Sequence, residues 1–379
     1  MRTILLPIGP PGAGKSTLCN GLQQFMRAIA RPCSIGNLDP ANDNIPYEAA
    51  FDVRDLVSVD EVMEREELGP NGGVLWAMEE IEVNVDWLER ELERCEETIV
   101  LDPPGQPELT IHHQSLPKIL HRLEKIGYRI VVIQLLDSVV LTRPSLYLSS
   151  LLLCLRGPLH LPYPIVNVLT KIDNLKAVGG ADLPFNLDFY TECQYLEHLL
   201  PELSKEQART PGGASGKWDD LNKALISLIE DYGLMGFETL AVEDRQSMAA
   251  LLRAIDRASG YVFAGARGRD ENGKTLDDEA SIWAQAMNQS YGQMDVRDVQ
   301  ERWIDRKEEY DEAEKKMWEE EARLAGALPE APAAKVQRKE ADGDQDDGED
   351  ELLEEQRRWQ EQQAKGTGGV GETKVKRMP

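Results

Sequence analysis

Predominantly apolar runs recur along residues 1–265 and alternate with stretches whose apolar residues fall three or four positions apart. The runs at Ile4–Ile8, Pro32–Leu38, Thr98–Asp102, Tyr128–Leu136, Pro164–Leu169 and Phe237–Val242 predict strands. Such runs suit strands buried on both faces, as in a parallel sheet. Leu18, Leu22, Phe25 and Ile29 mark one helix, and Ile81, Val85, Leu88 and Leu92 another with an acidic outer face. Residues 144–156, Leu221–Tyr232 and Ser247–Ala258 predict further helices, the first closed by Arg156-Gly157-Pro158. Between them, 43–68 reads as irregular with short helical character at Asp60–Glu67, Gly69–Gly73 as a turn, and 204–217 as an exposed loop. Strands alternating with helices predict an α/β fold, a mostly parallel sheet with helices on both faces.

Beyond residue 265 the pattern changes. Asp270–Glu279 is a polar linker, and Ile282 to about Arg323 is helix-prone, with Trp283, Trp303 and Trp318 too irregularly spaced for one amphipathic face. From Pro329 onward aliphatics are scarce and charge is dense, which predicts a disordered, solvated tail. The expected organisation is a folded domain over 1–265, a linker and helix-prone extension over 266–328, and a disordered charged tail over 329–379. The acidic block Asp342–Glu355 contributes to a formal charge of −26, from 42 Lys and Arg against 68 Asp and Glu. That balance argues against a nucleic-acid-binding role through the bulk field. Five scattered cysteines with no C-x-x-C pair suit a reducing compartment. His112-His113 has no partner at metal-ligand spacing. The N-terminus runs almost directly into the first strand, and Leu146–Leu155 is too short to span a bilayer. A soluble, cytoplasmic protein without a membrane partner is expected.

The chemistry concentrates at strand ends. Gly9-Pro10-Pro11-Gly12-Ala13-Gly14-Lys15-Ser16-Thr17 matches G-x-x-x-x-G-K-[ST] and sits between a predicted strand and a predicted helix. In that setting successive N–H groups cradle phosphates, Lys15 bridges the β- and γ-phosphates, and Ser16 ligates Mg²⁺. Asp102 closes a hydrophobic strand and is followed by Gly105, the D-x-x-G of a phosphoryl-transfer switch. Its carboxylate would hold Mg²⁺ through water, and the Gly105 N–H would meet the γ-phosphate. Asp39, at another strand end, either joins the Mg²⁺ and water chemistry or simply makes an Asp-Pro turn. Thr170-Lys171-Ile172-Asp173 ends a further strand. The Asp173 carboxylate can accept from N1–H and the exocyclic amine of guanine, a donor pair adenine lacks, with the Lys171 stem over the base. Ala241, at the exit of the last strand, would lend backbone contacts to the ring.

Together, Gly9–Thr17, Asn37–Ala41, Gly69-Pro70-Asn71, Asp102-x-x-Gly105-Gln106 and Thr170–Asp173 strongly resemble the GPN-loop GTPases. Leu68–Gly73 and Phe185–Tyr190 look most like the second eukaryotic paralogue. The resemblance covers roughly residues 1–265. It implies a P-loop NTPase fold of the dimerising class that includes signal-recognition and Min-type NTPases. It also implies GTP/GDP and Mg²⁺ as cofactors, and a homodimer or a heterodimer with a paralogue. Gly69, Pro70 and Asn71 would lie at that interface, with Asn71 reaching the γ-phosphate region of the partner's nucleotide. Asp39, Gln106 and Glu108 match the positions that arrange the attacking water, beside Lys15. The implied role is assembly and nuclear import of RNA polymerases II and III through their subunits or assembly factors, which adds shuttling to the nucleus. Two other readings compete. The phosphate loop also looks like those of nucleotide and small-molecule kinases, but no arginine-rich lid is evident and Thr170–Asp173 would go unexplained. A scaffold with vestigial hydrolysis sits poorly with intact Lys15, Asp39, Asp102 and Gln106.

Overall fold

The apolar runs assemble into a parallel sheet in the computed structural model, which describes residues 2–42, 44–106, 113–178, 183–209, 217–232, 235–260 and 296–324. The strands are β1 (Thr3–Ile8), β2 (Cys33–Asn37), β3 (Ala49–Asp52), β4 (Thr98–Asp102), β5 (Arg129–Asp137), β6 (Ile165–Thr170) and β7 (Phe237–Leu240). Their order is β3-β2-β4-β1-β5-β6-β7, and every pairing is parallel. All strands therefore end at one edge. The strand order reverses around β1, and ligands of open α/β sheets bind outside the carboxyl ends at such a point.

The connecting helices are α1 (Lys15–Ala28), α2 (Val59–Glu66), α3 (Pro70–Val83), α4 (Val85–Glu93), α5 (Ser115–Ile126) and α6 (Pro144–His160). They continue as α7 (Leu187–Glu192), α8 (Leu200–Arg209), α9 (Asp219–Tyr232), α10 (Arg245–Ser259), α11 (Val296–Gln300) and α12 (Lys307–Leu324). Side chains alternate across a strand, so β1 sends Ile4, Leu6 and Ile8 to one face and Leu5 to the other. The first face packs on α3, α4 and α5 through Met78, Ile81, Leu88, Leu120 and Leu123. The second packs on α1 and α10 through Leu18, Leu22, Met26, Leu251 and Ile255. Each fully buried Leu or Ile contributes about 1.5–3 kcal/mol, so the central strands are the most firmly anchored part of the site's floor. A third cluster joins Leu136 and Leu169 at the ends of β5 and β6 to α6, α7, α9 and Trp303.

Several expectations need correction. Segment 43–68 contains the edge strand β3 besides the expected short helix. With Phe51 as its one buried residue, β3 carried no periodic signal. Gly69–Gly73 is not a turn. Pro70 opens α3 at its first position, where it lacks no hydrogen bond, and Gly73 packs inside against Val59 and Met63 of α2. The helix expected at Ile81–Leu92 is two, broken at Asn84, whose amide donates to the Glu80 carbonyl 3.0 Å away. α5 had no counterpart in the reading. α6 runs through Pro158 to His160, forgoing the hydrogen bond that Pro158 cannot donate to the Cys154 carbonyl, and the following Leu161 is buried. The expected loop at 204–217 begins as the end of α8, and 210–216 lies outside the described residues. So do the linker Asp270–Glu279 and the tail 329–379.

Met1–Lys316 form one compact unit. Met317–Pro379 form a second, described only for the end of α12, where Met317 and Trp318 are exposed. Among the described residues no helix is long and apolar enough to cross a membrane.

Candidate active site

The loop after β1 delivers its chain into α1 through Gly14, which caps the helix at φ 93°, a left-handed conformation that favours glycine. No side chain caps that end, so the first N–H groups of α1 form a donor cluster at its positive pole. Lys15 is nearly buried, and its Nζ donates to the carbonyls of Gly9 (3.1 Å) and Pro10 (3.4 Å). Burial pulls the Lys15 ammonium below its usual range, while Asp102 and Asp39 pull it back up. Gly105 closes over this lysine. A Cβ there would stand 2.8 Å from Lys15 Nζ and 3.4 Å from Pro11 Cα, so a side chain at this position would displace the tip of Lys15. Gly12 and Ala13 complete the cradle, with the Ala13 N–H donating to Pro10 O at 3.2 Å. Thr17 is exposed and lines a cavity of about 460 Å³ that runs along α1 beside Val242 and Glu243.

Asp102, at the end of β4, is 1% exposed. Its Oδ2 accepts from the Tyr47 hydroxyl at 2.9 Å, and its Oδ1 is buried without a hydrogen-bond partner. Burial pushes this carboxyl up, with the neighbouring Ser16 and Tyr47 hydroxyls and Lys15 acting against it. An orphaned carboxylate oxygen beside a serine hydroxyl is an oxygen donor set suited to a hard cation such as Mg²⁺. Among the described residues no cluster of three or more His, Cys, Asp or Glu could hold a metal by itself. Ser16 and Asp102 therefore fit Mg²⁺ shared with phosphate and water. Asp39 is held at the mouth by Asn37, which is fully buried. Asn37 Oδ1 accepts from the Asp39 N–H (3.0 Å), and its Nδ2 donates to Asp39 O (3.2 Å) and to Asp52 Oδ2 (3.1 Å). Asp39 Oδ1 accepts from the Ala41 N–H at 3.0 Å. Burial raises its carboxyl too, against the pull of that N–H.

On the other side of β1, the buried Thr170 hydroxyl donates to Ala13 O at 2.8 Å and meets Leu136 O at 3.3 Å. It clips the end of β6 to the phosphate loop. Lys171 adopts φ 58°, and its Nζ bonds Asp137 Oδ2 at 2.7 Å. The Ser138 hydroxyl holds the Lys171 carbonyl at 3.0 Å. Asp173 lies in a 3₁₀ turn, Ile172–Val178, and is half-buried. Ala241 does not suit the role expected of it. Its N–H is taken by the Ser247 hydroxyl (2.9 Å) and its carbonyl by the Asp244 N–H (3.0 Å), so its backbone polar groups close their own turn.

Gln106 Nε2 donates to Asn71 Oδ1 of the same chain at 3.1 Å. Asn71 is exposed, as are Gly69 and Pro70, at the N-terminus of α3, and Gln106 is half-buried. Glu108 lies outside the described residues. The structure thus brings Lys15, Ser16, Asp39, Asp102, Gly105, Thr170 and Asp173 to one edge, with Asn71 and Gln106 at its rim. Sequence reasoning did not single out Tyr47 or Asp137, nor Asn37 as a support. Asn37 and Asp137 each end an apolar strand, the signal that found Asp102. Tyr47 sits in a stretch with no periodicity and gave none. A larger cavity of about 1280 Å³ opens at the opposite ends of β6 and β7, beside Asn167 and Glu238, and holds none of these groups.

Residues 8–261 match a family model described as a conserved hypothetical ATP binding protein. The chain is 44% identical over 314 residues to GPN-loop GTPase 2 of Schizosaccharomyces pombe, covering 82% of this chain and 93% of that one. It is 39% identical over 361 residues to GPN-loop GTPase 2 of Saccharomyces cerevisiae, covering 94% and 96%. It is 44% identical over 261 residues to GPN-loop GTPase QQT1 of Arabidopsis thaliana, covering 68% and 85%. Among solved structures, an apo-form GTPase from Pyrococcus abyssi aligns with a TM-score of 0.51 at 21% identity. It covers 68% of this chain and 97% of that chain, a likeness of fold.

Proposed function

The chain belongs to the GPN-loop GTPase family and is a GTP-binding GTPase, and from that premise we propose that it hydrolyses GTP with Mg²⁺ as a switch completed by a second subunit. The observation that carries the assignment of one nucleotide site is the 2.8 Å bond from Thr170 to Ala13. It ties the turn bearing Asp173 to the loop bearing Lys15, so base and phosphates are gripped by one rigid frame. Family membership removes the kinase alternative.

Phosphoryl transfer asks mainly for positioning and charge stabilisation. The N–H groups at the start of α1 receive the phosphate oxygens. Lys15, now leaning on two neutral carbonyls, exchanges them for charged oxygens, a change that roughly doubles the strength of its bonds. Ser16 and Asp102 would hold Mg²⁺, which supplies charge neutralisation across the β- and γ-phosphates when bound. Asp39, fixed by Asn37, and Gln106, at the rim, orient the attacking water. Asp173 selects guanine through a donor pair absent from adenine.

Exposed Gly69, Pro70 and Asn71 at a helix N-terminus support the proposal of a dimer, homotypic or with a paralogue. Asn71 stands at the rim, ready to exchange Gln106 for a partner's nucleotide. The client role follows the resemblance: assembly and nuclear import of RNA polymerases II and III, by a cytoplasmic protein that shuttles. Recovery of the intact protein from cells with a non-hydrolysable GTP analogue should bring down a paralogue and polymerase subunits; their absence with and without the analogue removes that role. The base assignment is tested by Asp173→Asn, which should weaken GTP binding by roughly 10⁴-fold and shift preference to xanthine nucleotides. Equal thermal protection of the wild type by ATP and GTP would overturn it.

A further inference from the structure

The Phe185–Tyr190 stretch plays no part in nucleotide chemistry, yet the segment beginning at Val296 is seated on it. Gln300 accepts from the Leu187 N–H (3.0 Å) and donates to Asn186 Oδ1 (3.4 Å). Arg297 stands 3.6 Å from Asp188. Val299 and Trp303 are 3% and 9% exposed, within the cluster that holds Leu187, Tyr190, Ile172 and Leu175. Ile172 and Leu175 are the inward residues of the turn that carries Asp173. The segment thus shares a core with the base-reading turn.

Its polar groups reach the same turn from outside. A π-helical turn, Glu301–Asp305, leads from α11 toward α12. Arg302 stacks 4.2 Å from the Trp303 ring and pairs with Asp311 (2.8 Å) and Glu314 (3.0 Å) of α12. That clamp folds the start of α12 back, so Lys307 passes over the Trp303 ring at 5.5 Å and its ammonium donates to the Asp173 carbonyl. Glu308 lies 3.6 Å from Lys176, further along the same turn. Short 3₁₀ segments have poor internal hydrogen bonding, and a carboxylate selects a base only when its geometry is held.

We infer that residues 296–308 are a strap that holds the Asp173 turn in its base-reading geometry, with Lys307 as a positioning residue for guanine recognition. This rests on Asp173 reading guanine. The strap touches neither Lys15 nor Asp102, so loosening it should change how long a guanine nucleotide stays bound while sparing the hydrolytic step. The contrast with an ordinary packing contact is selectivity. A loosened Asp173 loses its grip on the exocyclic amine, whereas a general loss of stability weakens all nucleotides alike.

The test uses the full-length protein with Lys307→Met, which keeps the stem over Trp303 and removes the donor, and Lys307→Arg, which keeps a cation. The readouts are GDP and IDP dissociation rates, since inosine lacks the exocyclic amine, and the single-turnover rate of GTP hydrolysis. GDP should leave Lys307→Met about tenfold faster, the scale of one charge-assisted bond. The preference for GDP over IDP should shrink, the single-turnover rate should stay level, and Lys307→Arg should remain within about twofold of wild type. Unchanged GDP release, or equal losses for GDP and IDP, overturns the strap's role in base recognition. If Lys307→Met folds poorly, Gln300→Ala, which loosens the strap at its other end, must give the same selective loss, and an equal loss again overturns it. A wild-type protein that does not prefer GDP over IDP refutes the guanine reading itself, and the strap proposal falls with it.

Discussion

Tyr47→Phe removes a single hydroxyl from the least solvated corner of the site. That hydroxyl is the donor, at 2.9 Å, to one oxygen of a carboxylate that is 1% exposed and whose other oxygen has no partner. Without it, ionised Asp102 would have only Ser16 and Lys15 nearby to offset its burial. A hydrogen bond to a charged group contributes about 1.5–3 kcal/mol, and a factor of ten corresponds to about 1.4 kcal/mol. The variant should therefore need at least about ten times more Mg²⁺ for half-maximal GTPase activity, because the carboxylate proposed to bind the hydrated ion is no longer held. The metal-free protein should show a pH signature. Burial raises Asp102, so the stability associated with its neutral form is full below the ordinary carboxylate value of about 3.9 and is lost as pH rises through the raised folded value. Tyr47 bonds the ionised form and limits that loss. The deficit of Tyr47→Phe in Tm should be small below about pH 4 and should grow as pH rises through the raised folded value. Magnesium titrations of steady-state turnover, with thermal melts across pH, measure both effects. A wild-type magnesium half-saturation together with a pH-independent Tm difference would refute the account of Asp102.

Two further outcomes follow from the frame of the site. Thr170→Val replaces the hydroxyl that clips β6 to the phosphate loop with a methyl of similar shape, leaving Ala13 O without that donor. Nucleotide affinity should fall by about tenfold, the scale of one buried bond, while circular dichroism stays native; unchanged GDP affinity would show that the clip is dispensable. Gly105→Ala places a Cβ 2.8 Å from Lys15 Nζ, so kcat should fall at least about tenfold with GDP binding largely kept. Single-turnover hydrolysis with a binding titration separates the two.

Much of the site was legible because its chemistry is local. Gly14, Lys15 and Ser16 act through a loop and the first turn of one helix, and Asp102 through the last residue of one strand. An uninterrupted apolar run also signals its own burial, so all but the edge strand β3 were readable. The helix α5 and the helical state of Gly69–Gly73 were not. At Gly69–Gly73, where glycines suggest a turn in isolation, Gly73 serves instead as the contact surface for Met63 and Val59. The role expected of Ala241 failed for a similar reason. Whether a backbone N–H faces a ligand depends on which side chain caps it, here Ser247.

By itself, then, the order of residues pointed to the chemical class: a phosphate cradle and the carboxylates proposed for the switch and for reading the base, each encoded within a few positions. Only the tertiary structure decided which distant groups make them work together. Tyr47 lies 55 positions from the carboxylate it bonds, Thr170 lies 157 from the loop it clips, and Lys307 lies 134 from the carbonyl it meets. No periodicity or motif links such pairs, because their proximity is created by the parallel sheet, which gathers every strand end at one edge.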